Sequence, residues 1–282
     1  MTLTLKYMAR PALAALVGAL MAAPAFATAT WTWALDVNGT STPNPCTGAA
    51  AVNNYTMSTN CTASGTANKA TFTGWSDTGG KTGTTEVGGG TFEASKMYSY
   101  GTNGYGVVNK FENSTITGPH AADNVGALDL FLVKFDSAVS LSEVKVGWNG
   151  TTAGTTGYND SDMSIYRFIP GTSSGALTGL TAANMTTKAA DGSGWQLVKN
   201  YSNASSTVDL RAGSFDTGTS SWWLISAYNS NSGGSFGSSD AFKLLSVGAV
   251  AGGKIPEPAS LALLAVAGIG AAAARRRSAR RG

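Results

Sequence analysis

The 282-residue chain sets 19 Lys and Arg against 16 Asp and Glu for a formal charge of +3, yet only 12% of it is charged and 43% is hydrophobic. Seven of the cations sit at the two ends (Lys6, Arg10, Arg275, Arg276, Arg277, Arg280 and Arg281), and setting them aside turns +3 into −4. A body of that sign with no Lys/Arg cluster argues against a nucleic-acid partner. Seven tryptophans among many Val, Leu, Ile, Phe and Tyr argue against a disordered linker, despite 36 glycines.

The N-terminus places Lys6 and Arg10 before an apolar stretch from Ala12 to Ala23, then Pro24 and the small-residue pattern Ala25-Phe26-Ala27. That order is the layout of a secretory signal peptide spanning residues 1–27, cleaved after Ala27, with cleavage after Ala29 as the second choice. An uncleaved anchor is the competing reading, against which the apolar stretch is shorter than the roughly 20 residues a span needs.

The exported part, residues 28–253, is long enough for one large β domain or two small ones. Cys46 and Cys61 fall close together in it. An even cysteine count in an oxidising compartment favours a disulfide, closing a loop of about 15 residues worth ~3 kcal/mol in the chain-entropy model. Two free thiols or half of a metal site is the alternative, and no further Cys or suitably placed His completes a zinc shell.

Residues 28–120 form a Gly/Thr-rich outer part. "TWTWALDV" and "KATFTGWSD" read as strands there, and "SDTGGKTGTTEVGGGTF" reads as a loop. Residues 121–253 are better defined. "ALDLFLVKF" (127–135) has apolar residues on both faces and suits a doubly buried strand. "LSEVKVGW" (141–148) alternates, with Val144, Val146 and Trp148 opposed to Glu143 and Lys145. Further strands are expected at 162–169, 194–201, 220–229 and 240–250, each bounded by Gly, Ser, Asn or Asp. No apolar rhythm of 3.6 residues is sustained, so the expected fold is all-β, an antiparallel β-sandwich of jelly-roll-like type.

Candidate chemistry is sparse. His120 is the sole histidine and no G-x-S-x-G elbow accompanies it, which disfavours a Ser-His-Asp hydrolase. Asp160 and Asp162 could be paired carboxylates of a glycosidase. Their setting, "YNDSDMS", reads instead as a turn entering a strand. Asn159, Asp160 and Asp162 offer hard oxygen ligands at short spacing, the chemistry calcium takes, with Asx-turn capping as the ordinary alternative. Trp222 and Trp223 are adjacent, so in a strand one faces the core and the other faces away, where an indole could stack on a sugar ring. The residues thus point to no catalytic centre, no obligatory cofactor and no enzyme.

The C-terminus, residues 254–282, reads "KIPEPASLALLAVAGIGAAAARRRSARRG". Leu261 to Ala274 is an apolar run of about 21 Å as a helix at 1.5 Å per residue. It falls short of a ~30 Å hydrocarbon core unless the flanks extend it to about residues 259–275. The five arginines hold the cytoplasmic side as a stop signal, leaving the β domain and Pro256-Glu257-Pro258 outside. The prolines fix an extended backbone there and deny the helix an upstream start.

These three parts, in this order, resemble the PEP-CTERM sorting signal of Gram-negative bacteria, with Ile255 where Val is more usual. The resemblance implies export, recognition at Pro256, Glu257 and Pro258 by exosortase, a membrane-embedded processing enzyme, and removal of the hydrophobic tail. It implies transient anchoring in the inner membrane, then delivery to the surface or to an exopolysaccharide matrix. The body, through "DNVGALDLFLVKFDSAVSLSEVKVGWN", "DSDMSIYRF", "SSWWLISAYN" and "DAFKLLSV", is similar to a group of exosortase-dependent surface proteins that share such a β domain and have no established activity. The expected role is a structural or adhesive one in a surface layer or biofilm. A carbohydrate- or calcium-binding adhesive module is the first alternative and a secreted hydrolase the second.

Overall fold

The computed structural model describes residues 30–35, 46–47, 50–52, 55–58, 60–63, 68–112, 120–150, 160–170, 175–204, 207–210, 218–233 and 239–251. The expected signal peptide with Ala25 and Ala27, Asn159, Pro256, Glu257, Pro258, the expected span at 259–275 and the five terminal arginines lie outside these residues. Among the described residues no helix is long and apolar enough to cross a membrane.

The body is one compact unit, Ala29–Gly252. Its strands are β1 (Thr30–Ala34), β2 (Cys46–Thr47), β3 (Ala50–Val52), β4 (Tyr55–Ser58), β5 (Asn60–Ala63), β6 (Ala70–Gly79), β7 (Thr91–Ser99) and β8 (Tyr105–Val108). They continue with β9 (Ala122–Asp123), β10 (Asp129–Trp148), β11 (Met163–Ile169), β12 (Gly194–Tyr201), β13 (Thr207–Asp209), β14 (Ser220–Ala227) and β15 (Ala241–Ala251). All their ladders are antiparallel.

The all-β expectation holds, but the strand pairing differs from the expected sandwich. Instead of two facing sheets, the strands join one sheet whose members β10, β6, β7, β8 and β15 pair in a circuit back to β10, a small barrel. Strands β14, β11 and β12 extend the sheet beyond it, and β1 adds to β15. The outer part and the later part therefore share this sheet, since β1 pairs β15 and β6 pairs β10.

The cause lies in β10, which runs through 20 residues where the sequence suggests two strands. Its first half is buried on both faces, as the apolar run 127–135 predicts, and pairs β6 on one side and β14 on the other. Residues 136–138 are exposed, and the β14 register slips between Lys134 and Val139, a bulge that bends the strand. Asn68 secures this bend: its Oδ1 accepts from the Ser137 N–H at 2.9 Å, and its Nδ2 donates to the Ser137 carbonyl at 3.3 Å. Beyond the bend the second half pairs β15 and β13. There Val144 and Val146 are buried and Lys145 is exposed as expected, while Glu143 and Trp148 are both half-buried where the register with β15 slips. A single strand serving two sets of neighbours lets one sheet curl into a barrel.

The core gathers Phe72, Phe131, Phe135, Tyr105, Tyr166, Trp195, Trp223 and Phe242, all essentially inaccessible. Phe168 and Trp195 meet edge to face at 5.3 Å between centroids. The loop expected at residues 76–92 is confined to residues 80–90 and is pinned at its end. Gly90 N–H donates to the Asp77 carbonyl at 2.7 Å, and Gly89 N–H donates to the Asp77 carboxylate at 2.8 Å. A β-carbon at Gly90 would lie 2.1 Å from the Gly79 carbonyl oxygen, so glycine is required for the loop to close against β6. In the β2–β5 ladder Cys46 stands directly opposite Cys61; their side chains lie outside what is described.

Candidate functional site

Strand β11 is preceded by Asp160-Ser161-Asp162, and strand β15 is preceded by Asp240. Asp160 forms a parallel bridge with Asp240, and its carbonyl accepts from Ala241 N–H at 3.0 Å. Asp162 is tied on by its carbonyl, which accepts from Tyr228 N–H at 3.0 Å. Ser161 fixes the turn from the other side, donating its hydroxyl to the Ala204 carbonyl at 2.6 Å. The result is that one carboxylate oxygen from each of Asp160, Asp162 and Asp240 lies within 4.8 Å of the others.

Two of these acids are buried, Asp162 at 2% and Asp240 at 0% exposure, while Asp160 is half-buried. Each buried acid is held by one fixed donor or more. Asp162 Oδ1 accepts from Asn203 N–H at 2.6 Å, and Asp240 Oδ2 accepts from Asn124 Nδ2 at 2.6 Å. Asn124 also takes the backbone: its Oδ1 accepts from the N–H groups of Ser239 and Asp240 at 2.9 and 2.8 Å. Asn203 and Ser239 adopt positive φ, 49° and 83°, which for residues with a side chain is uncommon and costs energy.

Asp240 Oδ1 has no hydrogen-bond partner. Among the described residues no Lys, Arg or His forms an ion pair with any of the three carboxylates. Burial, reinforced by the neighbouring Asp160 carboxyl, pushes Asp240 up to about 8, and burial raises Asp162 against the lowering effect of the Asn203 N–H. Three carboxylates packed together without a cation are costly, because desolvation and mutual repulsion both disfavour their charged forms. Beside this cluster a cavity of about 380 Å³ is lined by Asn124, Tyr228, Asn229 and Asp77.

Asp160 and Asp162 are thus brought together as their spacing suggests, and the structure adds Asp240, Asn124 and Asn203, which sequence reasoning missed. Asp240 is 78 residues beyond Asp162 in the chain, and only the pairing of β11 and β15 ends reveals it. Of the tryptophan pair, Trp223 is fully buried and donates its Nε1–H to the Ser220 carbonyl at 2.9 Å. Trp222 is half-buried, with the Lys134 ammonium 4.9 Å from its ring centroid. His120 is 5% exposed, with Nδ1 3.3 Å from Glu112 Oε1 and its ring 5.6 Å from that of Tyr98.

A second set of acids sits near His120. Asp129 is fully buried, neither of its carboxylate oxygens has a hydrogen-bond partner, and burial with Glu112 and Asp123 nearby raises it well above the carboxylate range. Burial pushes Glu86 up to about 7, with Glu112 and Asp77 adding to the effect and Asn109 and His120 opposing it. A carboxyl raised in the folded state binds a proton that the unfolded chain has already released. Its stabilising contribution is complete below its ordinary value and disappears as pH rises through the raised one. Stability is therefore expected to fall as pH rises from about 5 to about 8, read as a lower urea midpoint, and Glu86→Gln is expected to flatten that slope.

Residues 254–277 match the model of the PEP-CTERM protein-sorting motif. No curated protein and no solved structure matches the chain. Pro256-Glu257-Pro258, the apolar run and the first arginines all fall inside the matched residues. The chain thus carries at its C-terminus the PEP-CTERM signal that marks exosortase-dependent proteins for export toward the cell surface.

Proposed function

We propose that the mature protein is a non-enzymatic component of the cell surface or extracellular matrix, with a structural or adhesive role, released from its membrane tether by exosortase. The observation that carries this reading is the sorting motif at residues 254–277. It is supported by an N-terminus with the layout of a cleavable signal and by a β body that is poor in charge and rich in Gly, Ser, Thr and Asn. The half-buried Trp222 and the mixed polar and apolar cavity beside Asn124 favour the adhesive form, with polysaccharide as the partner to test.

Intact-mass measurement of the protein recovered from cells, with fractionation of membrane, surface and medium, tests the proposal. The expected product lacks the signal peptide and the arginine tail and is found at the surface or in the medium. A cytosolic chain running from Met1 to Gly282 overturns it. The cysteines are read in the same preparation. The pairing of Cys46 with Cys61 across β2 and β5 is within the Cα spacing a disulfide spans. Alkylation is expected to label neither cysteine until the protein is reduced; labelling of both without reductant counts against the bond.

A further inference from the structure

We propose that Asp160, Asp162 and Asp240 bind a divalent cation, and that the ion is calcium. Two observations meet here. The first is convergence: one oxygen from each acid lies within 4.8 Å of the others, and two ligands of one calcium ion at 2.3–2.6 Å can be no more than roughly 5 Å apart. The second is an unsatisfied group, since Asp240 is 0% exposed and its Oδ1 has no hydrogen-bond partner while its Oδ2 is held by Asn124. Buried carboxylate oxygens are nearly always hydrogen-bonded, paired or metal-bound. A cation among the three acids supplies the missing partner and the missing positive charge together.

The donor set selects the ion. All three side chains offer hard oxygen, with no thiolate or imidazole among them, which suits calcium or magnesium over zinc or copper. Asp162 and Asp240 each commit one oxygen to a fixed hydrogen bond, so they cannot easily contract around a small ion that demands octahedral ligands at about 2.1 Å. Calcium accepts the looser shell and fills the rest of it with water. The consequence reaches well beyond three residues. The site joins the start of β11 to the start of β15, and its acids are braced by Asn124 after β9 and Asn203 after β12. An occupied site ties four segments distant in sequence. Extracellular modules bind calcium at dissociation constants of about 10⁻⁴–10⁻³ M, so such a clasp would fill after export.

The test uses the full-length chain in detergent, stripped with EGTA and checked by circular dichroism. Calorimetric titration with CaCl₂ is expected to give saturable binding, and millimolar CaCl₂ is expected to raise the thermal midpoint, because a ligand of the folded state shifts the unfolding equilibrium. Asp160→Asn, the substitution at the half-buried acid, is expected to fold and to weaken binding roughly tenfold or more, as is Asp240→Asn. Asp136→Asn, at an exposed acid in the β10 bend, is expected to bind as the parent does. Absence of binding heat and of any midpoint shift in folded parent protein overturns the proposal. So does an Asp160→Asn variant that binds like the parent, or a site that takes Mg²⁺ in preference to Ca²⁺. None of these results depends on whether exosortase trims the tail.

Discussion

Replacing Pro256, Glu257 and Pro258 together by alanine is expected to leave the hydrophobic tail on the protein and the protein in the membrane fraction. Two physical effects act in the same direction. Proline fixes φ near −65° and bars the residue before it from the helical region, a restriction that favours the extended approach a processing groove would take. Alanine is the best helix former, and with the prolines gone Ile255 to Ala274 becomes one continuous apolar stretch. That stretch spans about 30 Å, enough to cross the hydrocarbon core, whereas Leu261 to Ala274 alone covers about 21 Å. A marginal tether becomes a permanent one. Glu257→Gln separates the effects, since it removes the carboxylate while keeping both prolines and the short span. If recognition needs the charge, Glu257→Gln also retains the tail; if the backbone suffices, only the triple variant does. Recovery of the triple variant from the medium with the parent's trimmed mass would defeat the whole argument about the tail.

How much of this was legible beforehand varies with the range of the interaction. Strands with strong local pattern were found nearly to the residue: Gly194–Tyr201 coincides with the expected 194–201, and β15 falls within one residue of 240–250 at each end. Strand β7 was missed because Glu93, Ala94, Ser95 and Lys96 break its alternation before the buried Met97 and Tyr98. The join at residues 136–140 was missed for a different reason. Asp136, Ser137 and Ala138 resemble a turn, and contacts distant in sequence keep that backbone extended: the hydrogen bonds between Ser137 and Asn68, 69 residues away, and the Asp136 N–H donating to the Lys69 carbonyl at 3.1 Å. Barrel closure depends on that join, so reading residues 136–140 as a break makes two sheets of what the structure joins as one. The acidic cluster divides similarly. Asp160 and Asp162 advertise themselves by spacing, but Asp240 stands in "SSDAF", which reads as an ordinary strand entry. Nor does any local pattern mark Lys243 as a buried lysine, its ammonium 4.0 Å from the ring centroids of both Tyr100 and Trp148.

The adjacent tryptophans yield the sharpest contrast in stability. Trp223 lies on β14, flanked by β10 and β11, where it pairs Val133 on one side and Arg167 on the other. It is wholly buried, and its indole N–H is satisfied by the Ser220 carbonyl. Truncation to alanine removes the ring contacts, leaves a cavity that close-packed strands cannot collapse into, and strands that carbonyl. Substitutions of this kind cost about 3–5 kcal/mol, a large fraction of the 5–15 kcal/mol that holds a typical domain folded. Trp223→Ala is therefore expected to unfold at a much lower urea concentration, or to be recovered only in aggregates. Trp222 pairs Lys134 across the same ladder and is half-buried under its ammonium. Losing it forfeits a cation–π contact of about 0.5–1 kcal/mol and part of the ring's burial, so Trp222→Ala should fold with a modestly lower midpoint. The sign of the difference follows from depth of burial, since Trp223 is inaccessible and Trp222 is only partly buried against the core. It also makes Trp222→Ala the usable variant for the adhesive reading: a folded protein that still binds polysaccharide as the parent does removes this indole from the contact. Equal loss of stability in the two variants would mean that β14 does not bury Trp223 more deeply than Trp222.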